Sequence, residues 1–157
     1  MKAEILRISH LLHETYEGSP WHGQPVKQVL QGINAQQAAL RILSDTHTMW
    51  EIVRHMTAWR NFAFQKIEGD RSFDILNAEQ DWPFIDVADE SNWQEDLQAL
   101  ENSQQQLLQA INTMEDKGLE DIVNGRQYTF YILLHGIIQH DLYHTGQIAL
   151  LKKHLKV

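Results

Sequence analysis

The segment LLHGIIQHDLYHTGQIALLKKHL constrains this chain more than any other stretch. Its apolar residues Leu133, Ile137, Ile148, Leu151 and Leu155 fall on one stripe of an α-helix running roughly from Thr129 to Leu155. His140 and His144 fill the middle of that stripe. Successive helical residues turn by about 100°, so positions four apart differ by only about 40°. The two imidazoles therefore point at the core as an i, i+4 pair.

The rest of the chain also reads as helix. With three prolines and eight glycines in 157 residues, and little β-branched alternation, an all-α fold is expected. A first helix is predicted from about Lys2 to Tyr16, with Ile5, Ile8, Leu11 and Leu12 along one stripe. EGSPWHGQP breaks it, and VKQVLQGI is a short helical piece. A second helix opens at Thr48, where Glu51 three residues on completes a capping box, and continues to about Glu68. The third begins at SNWQ, again S-x-x-Q, and runs to about Asp116. Its inward register is Trp93, Leu97, Leu100, Gln104, Leu107, Ile111 and Met114. The connection from about Gly69 to Glu90 is long for a bundle. Twenty-odd extended residues reach about 70 Å, whereas a 21-residue helix is about 32 Å long, so the chain can return and start the third helix parallel to the second. The expected architecture is a four-helix bundle, up-down-down-up, with one long crossover between helices two and three. Residues 1–157 read as a single domain.

In MWEIVRHMTAWRNFAF the apolar face is Ile52, Trp59, Phe62 and Ala63, and His55 lies between Ile52 and Trp59. A third imidazole is thus aimed inward from a second helix. A lone inward histidine is ordinarily a core residue satisfied by hydrogen bonds. An i, i+4 pair can reach one ion, and a third ring at matching depth shifts the balance to metal binding by His55, His140 and His144. Three protein nitrogens leave a position open, as in catalytic zinc sites. Neutral imidazole suits zinc or nickel, with iron and manganese behind them. Among the nine histidines, His10 and His13 read as solvated, His135 and His154 cannot join the same ion, and His22 and His47 lie in connections. Gln104 interrupts the apolar register of helix three, where it faces either the site cavity or the core. Glu51 and Asp141 are candidates for orienting ligands or moving protons, although Glu51 is also explained by its cap and Asp141 by solvent.

Composition narrows the partners. The chain has no cysteine, so thiolate ligands and a cysteine nucleophile are excluded. Thirteen basic against 21 acidic residues, net −8, with no basic stripe, argue against nucleic acid. The start, MKAEILRISHLLHETYEG, carries no long apolar run, so neither a secretory signal nor a membrane span is expected and a cytoplasmic location is the default.

HDLYHTGQI resembles the C-terminal H-x-x-x-H-x-G-Q signature of the DinB/YfiT-like superfamily of metal-dependent enzymes. MWEIVRHMTAWR is similar to that family's second-helix motif ending in a ligand histidine, and GSPWHGQPVKQVLQGI resembles its segment after helix one. The resemblance implies an up-down-down-up bundle with a metal on His55, His140 and His144. Relatives include transferases and isomerases that use low-molecular-weight thiols, so a metal-dependent hydrolase or thiol-dependent S-transferase acting on a small molecule is implied. The alternative is a non-catalytic metal-binding protein with a structural or sensing role. A homodimer is expected as well, both from the family and from a patch formed by Tyr131, Ile138 and Leu142 on helix four.

Overall fold

The computed structural model describes residues 2–155. Its helices are α1 (Ala3–Tyr16), α2 (Val26–Leu30), α3 (Ala35–Ala39), α4 (Met49–Ile67), α5 (Ala78–Asp81), α6 (Glu90–Thr113) and α7 (Phe130–His154), with a 3-10 turn over Asp116–Glu120. Among the described residues there is no strand, only an isolated bridge between Ile122 and Thr129. No helix of the described residues is long and apolar enough to cross a membrane.

Side-chain pairings set the direction of the four long helices. Arg54 of α4 meets Asp96 of α6, and Arg60 meets Gln104, so these helices run parallel. Tyr16 of α1 meets Glu101 and Leu12 meets Gln104, so α1 opposes α6. His55 lies against His144 and Arg60 against Asp141, so α7 opposes α4. The order is up-down-down-up, with the long crossover between α4 and α6.

Local chemistry explains most of the boundaries. Thr48 and Glu51 form a reciprocal capping box at the start of α4, which satisfies two N–H groups the helix leaves unpaired. Gly69, at φ +86°, ends that helix in the left-handed conformation that glycine adopts without strain. Thr129 accepts from the Ile132 amide and opens α7. The start of α6 differs from expectation. Asp89, not Ser91, is the cap, accepting from the Asn92 amide at 2.9 Å, and the Glu90 carboxylate is drawn across to the Ala35 amide of α3.

The end of α6 differs too. The helix stops at Thr113 rather than near Asp116, because Met114 turns extended. Asp116 then serves α1, which has no capping side chain of its own. Its Oδ1 accepts from the Glu4 and Ile5 amides at 3.1 and 3.0 Å. A cap supplied 111 residues away carries no local sequence signal. On α1, Leu11 is exposed although Ile5, Ile8 and Leu12 are buried. On α7 the expected dimer patch does not form as one surface. Ile138 is buried and Leu142 partly so, packed in the apolar cluster with Ile5, Ile8 and Leu119, while Tyr131 remains exposed.

Two apolar clusters fill the bundle. One gathers Trp50, Trp93, Met56 and Ile148 with the short helices α2 and α3; the other gathers Ile5, Leu12, Phe62, Leu107 and Leu134. Beside them lies a polar node on Arg60, which has no exposure. Its Nη2 donates to Asp141 Oδ2 at 2.7 Å and its Nε to Gln104 Oε1 at 3.1 Å. Gln104 in turn donates to the Leu12 carbonyl at 3.1 Å. The guanidinium carbon lies 5.0 Å from the centre of the Tyr16 ring. Gln104 is thus committed to holding the core charge and to α1, which is why a polar residue interrupts the apolar register of α6.

Removing one member of a buried ion pair leaves the other charged and unpaired, at a cost of about 3–5 kcal/mol. Arg60→Met is expected to lower unfolding free energy by about that amount, and Arg60→Met/Asp141→Leu to recover most of it. Urea unfolding of the two variants checks this. Equal stability of Arg60→Met and wild type would show that the pair carries no weight in the fold.

Candidate metal centre

The site is built where α4 and α7 cross. His55 comes from α4 between Ile52 and Trp59, and His140 and His144 come from one face of α7. The structure brings all three together, with one donor atom from each within 4.8 Å of the others. His140 Nε2 lies 2.8 Å from His55 Nε2 and 3.1 Å from His144 Nε2. His55 and His144 are buried and His140 is half-buried.

The outer ring nitrogens decide which protons are present. His55 Nδ1 lies 2.7 Å from the Asp81 carbonyl oxygen and 3.0 Å from Asp81 Oδ1. Both can only accept, so His55 carries its proton on Nδ1. His144 Nδ1 lies 2.7 Å from Gln147 Oε1, another acceptor, so its proton is also on Nδ1. In the neutral rings both Nε2 atoms are therefore bare lone pairs. His140 Nε2 faces both and can donate to only one of them. At least one Nε2 lone pair is therefore left without a donor at about hydrogen-bond distance. A cation at the shared point removes that conflict. A tetrahedral zinc with bonds of about 2.0–2.1 Å keeps its nitrogens about 3.3 Å apart, a few tenths of an ångström wider than the spacings here. The donors fit a metal-binding site.

Burial makes the rings ready ligands. It is the largest influence on all three, and it holds each pKa below the ordinary value. His140 is pushed down to about 3, with the neighbouring His144 and His55 adding to the effect. His144 falls to about 4, against the pull of Gln147. His55 is lowered less because Asp81 opposes the shift. Neutral, unprotonated imidazoles are the form that binds metal.

The crossover supplies a wall that sequence reasoning missed. α5 ends at Asp81, and Trp82, the residue before Pro83, leaves the helical region at φ −126° and ψ 78°. The Trp82 ring lies flat on His55, with centroids 3.8 Å apart and planes 3° apart. His47 stacks on its other face at 3.5 Å. Trp59 Nε1 donates to Asp81 Oδ1 at 2.8 Å, and Tyr143 sits edge-on to His144 at 5.1 Å. The available signals were the D-W-P sequence inside a long connection and a tryptophan one turn after His55. Neither states which ring it covers.

The other candidates lie elsewhere. Glu51 accepts from the Thr48 amide at 2.7 Å and from Arg41 at 2.9 Å. Burial alone would raise its pKa, but these partners hold it below the usual range, so it is an ionised cap. Asp141 is not solvated as expected. It is fully buried and paired with Arg60, because position 141 turns toward α4 while 140 turns toward the site. Neither carboxylate hydrogen-bonds a ring of the cluster. His10, His13, His22 and His154 are exposed, and His135 tilts against Tyr131.

Comparison with known proteins agrees with this geometry. A family model described as the DinB superfamily matches residues 21–148. No curated protein and no solved structure matches the chain.

The depressed histidines fix the sign of a pH effect. Between the folded values of about 3 and 4 for His140 and His144 and the unfolded value of about 6.5, the unfolded chain binds protons that the folded chain does not. The stability they lend is present above about pH 6.5 and lost as pH falls. Zinc binding should steepen the loss, since every ligand proton competes with the ion. Melting temperatures of the zinc-loaded protein should therefore fall more steeply below about pH 6 than those of His55→Ala/His140→Ala/His144→Ala. Parallel curves would show that the rings do not couple ion binding to folding.

Proposed function

The chain belongs to the DinB superfamily, and on that premise we propose that it is a metal-dependent enzyme acting on a small molecule, with the ion on His55, His140 and His144. The observation that carries this reading is the convergence of three Nε2 atoms whose hydrogen bonding no arrangement of protons on neutral rings can satisfy. Zinc or nickel is the expected metal, ahead of iron or manganese. Among the described residues the cluster offers three protein donors, whereas a closed structural site has four. This favours chemistry over a purely structural or sensing ion.

When bound, the metal supplies a Lewis acid that lowers the pKa of a water or thiol in the open position. Around that position the chain's own residues orient and shield. Asp81 and Gln147 hold the outer nitrogens of His55 and His144. Trp59, Trp82 and Tyr143 line the rim with aromatic surface. Because the chain has no cysteine, a thiol nucleophile must arrive from outside. The proposed reaction is therefore hydrolysis or S-transfer from an external low-molecular-weight thiol.

The untagged protein should hold close to one divalent ion per chain by elemental analysis. Each of His55→Ala, His140→Ala and His144→Ala should lose it, and full occupancy in these variants would refute the ligand set. A screen pairing small thiols with soft electrophiles should reveal conjugation that a chelator abolishes. Turnover indifferent to the chelator would refute the metal-dependent reading.

A homodimer is proposed in addition. Ile132, Tyr143 and Leu150 are exposed on α7, and their spacing of 11 and 7 residues puts them on one face. Light scattering at micromolar concentration should give twice the 18.3 kDa chain mass; a monomer mass would rule the dimer out.

A further inference from the structure

We propose that Asp81, on the crossover between α4 and α6, is a positioning residue that makes His55 the strongest donor of the three-histidine cluster. The inference rests on the metal reading of that cluster. Three observations carry it.

First, one residue supplies both oxygens at the His55 Nδ1 proton, its carbonyl oxygen, which accepts it at 2.7 Å, and its carboxylate Oδ1, 3.0 Å from the same nitrogen. Second, the carboxylate is itself held, because Trp59 Nε1, one turn beyond His55 on α4, donates to the same Oδ1 at 2.8 Å. Third, the backbone that delivers Asp81 is fixed on both sides. Asn77 accepts from the Gln80 amide at 2.9 Å and Gln80 Oε1 accepts from the Leu76 amide at 2.8 Å. On the other side Trp82 is clamped between the rings of His47 and His55.

The three ligands are then unequal. His144 is anchored by the neutral amide of Gln147. The outer nitrogen of His140 is buried and makes no hydrogen bond among the described residues. Only His55 has an anionic anchor. A carboxylate that draws on the Nδ1 proton raises electron density at Nε2 and fixes the ring plane. Asp81 acts on the ring nitrogen remote from the shared point, so it orients a ligand without occupying the open position.

The test compares wild type with Asp81→Asn, Asp81→Ala and Trp59→Phe. Asp81→Asn keeps an acceptor oxygen and removes the charge. Zinc affinity is read by competition with a chromophoric chelator, donor strength by the visible absorption of the cobalt(II)-loaded protein, and folding by far-UV circular dichroism. The expected result is a loss of zinc affinity of about 10–100-fold in Asp81→Ala and a smaller loss in Asp81→Asn and Trp59→Phe. The cobalt bands should shift in both Asp81 variants. Wild-type affinity in both Asp81 variants overturns the proposal. So does weaker binding with an unshifted cobalt spectrum, which assigns Asp81 to packing the crossover. A wild-type protein that binds neither ion sinks the metal reading itself, and this inference with it.

Discussion

The Arg60 guanidinium is the contact on which the arrangement of the bundle depends. It sits on α4, pairs with Asp141 on α7, is received by Gln104 on α6 and lies over the Tyr16 ring of α1. A buried charge tolerates few geometries, because each misplacement leaves it unpaired in a medium of low polarity. Apolar packing alone permits helices to slide with modest penalty. The Arg60 node does not, and it is placed next to the histidine cluster. Arg60 is five residues beyond His55, and Asp141 is the neighbour of His140. The register that satisfies the ion pair is the register that brings the three imidazoles together.

That proximity also shapes the electrostatics. The positive charge of Arg60 adds to burial and to the neighbouring rings in holding His140 neutral. The cluster therefore combines an apolar stripe, a nearby cation and rings whose protons face outward. Each feature disfavours protonation and leaves lone pairs pointing inward. The fold tolerates this local conflict because the helices are fixed elsewhere, by their caps, by the two apolar clusters and by the Arg60 node.

Much of this was legible in the residues. His55, His140 and His144 were found by helical register, since a 3.6-residue period states which way a side chain points. The Thr48–Glu51 capping box was legible because a cap is a local hydrogen bond between residues three apart, and the start of α7 near Thr129 because the turn-like VNGRQ precedes it. Where the reading failed, the deciding partner was distant. Asp116 left the helix expected to contain it in order to cap α1. Glu90 crossed to α3, and the cap of α6 fell to Asp89. Ile138 looked free on a helical wheel, yet it is covered because α1 and the 3-10 turn pack on that side of α7.

The sequence by itself determined the four long helices, most of their inward faces and the three histidines, because all of these follow from short-range periodicity and local hydrogen bonding. Only the tertiary structure decided what surrounds those histidines. Asp81 and Trp82 reach His55 from a connection with no regular period, and Asp141 found Arg60 across the core rather than water. Such contacts join residues 26 and 81 positions apart, and no local rule relates positions so far separated. The packing of the whole bundle selects them, by bringing Asp141 to the Arg60 charge and Asp81 to the His55 ring proton.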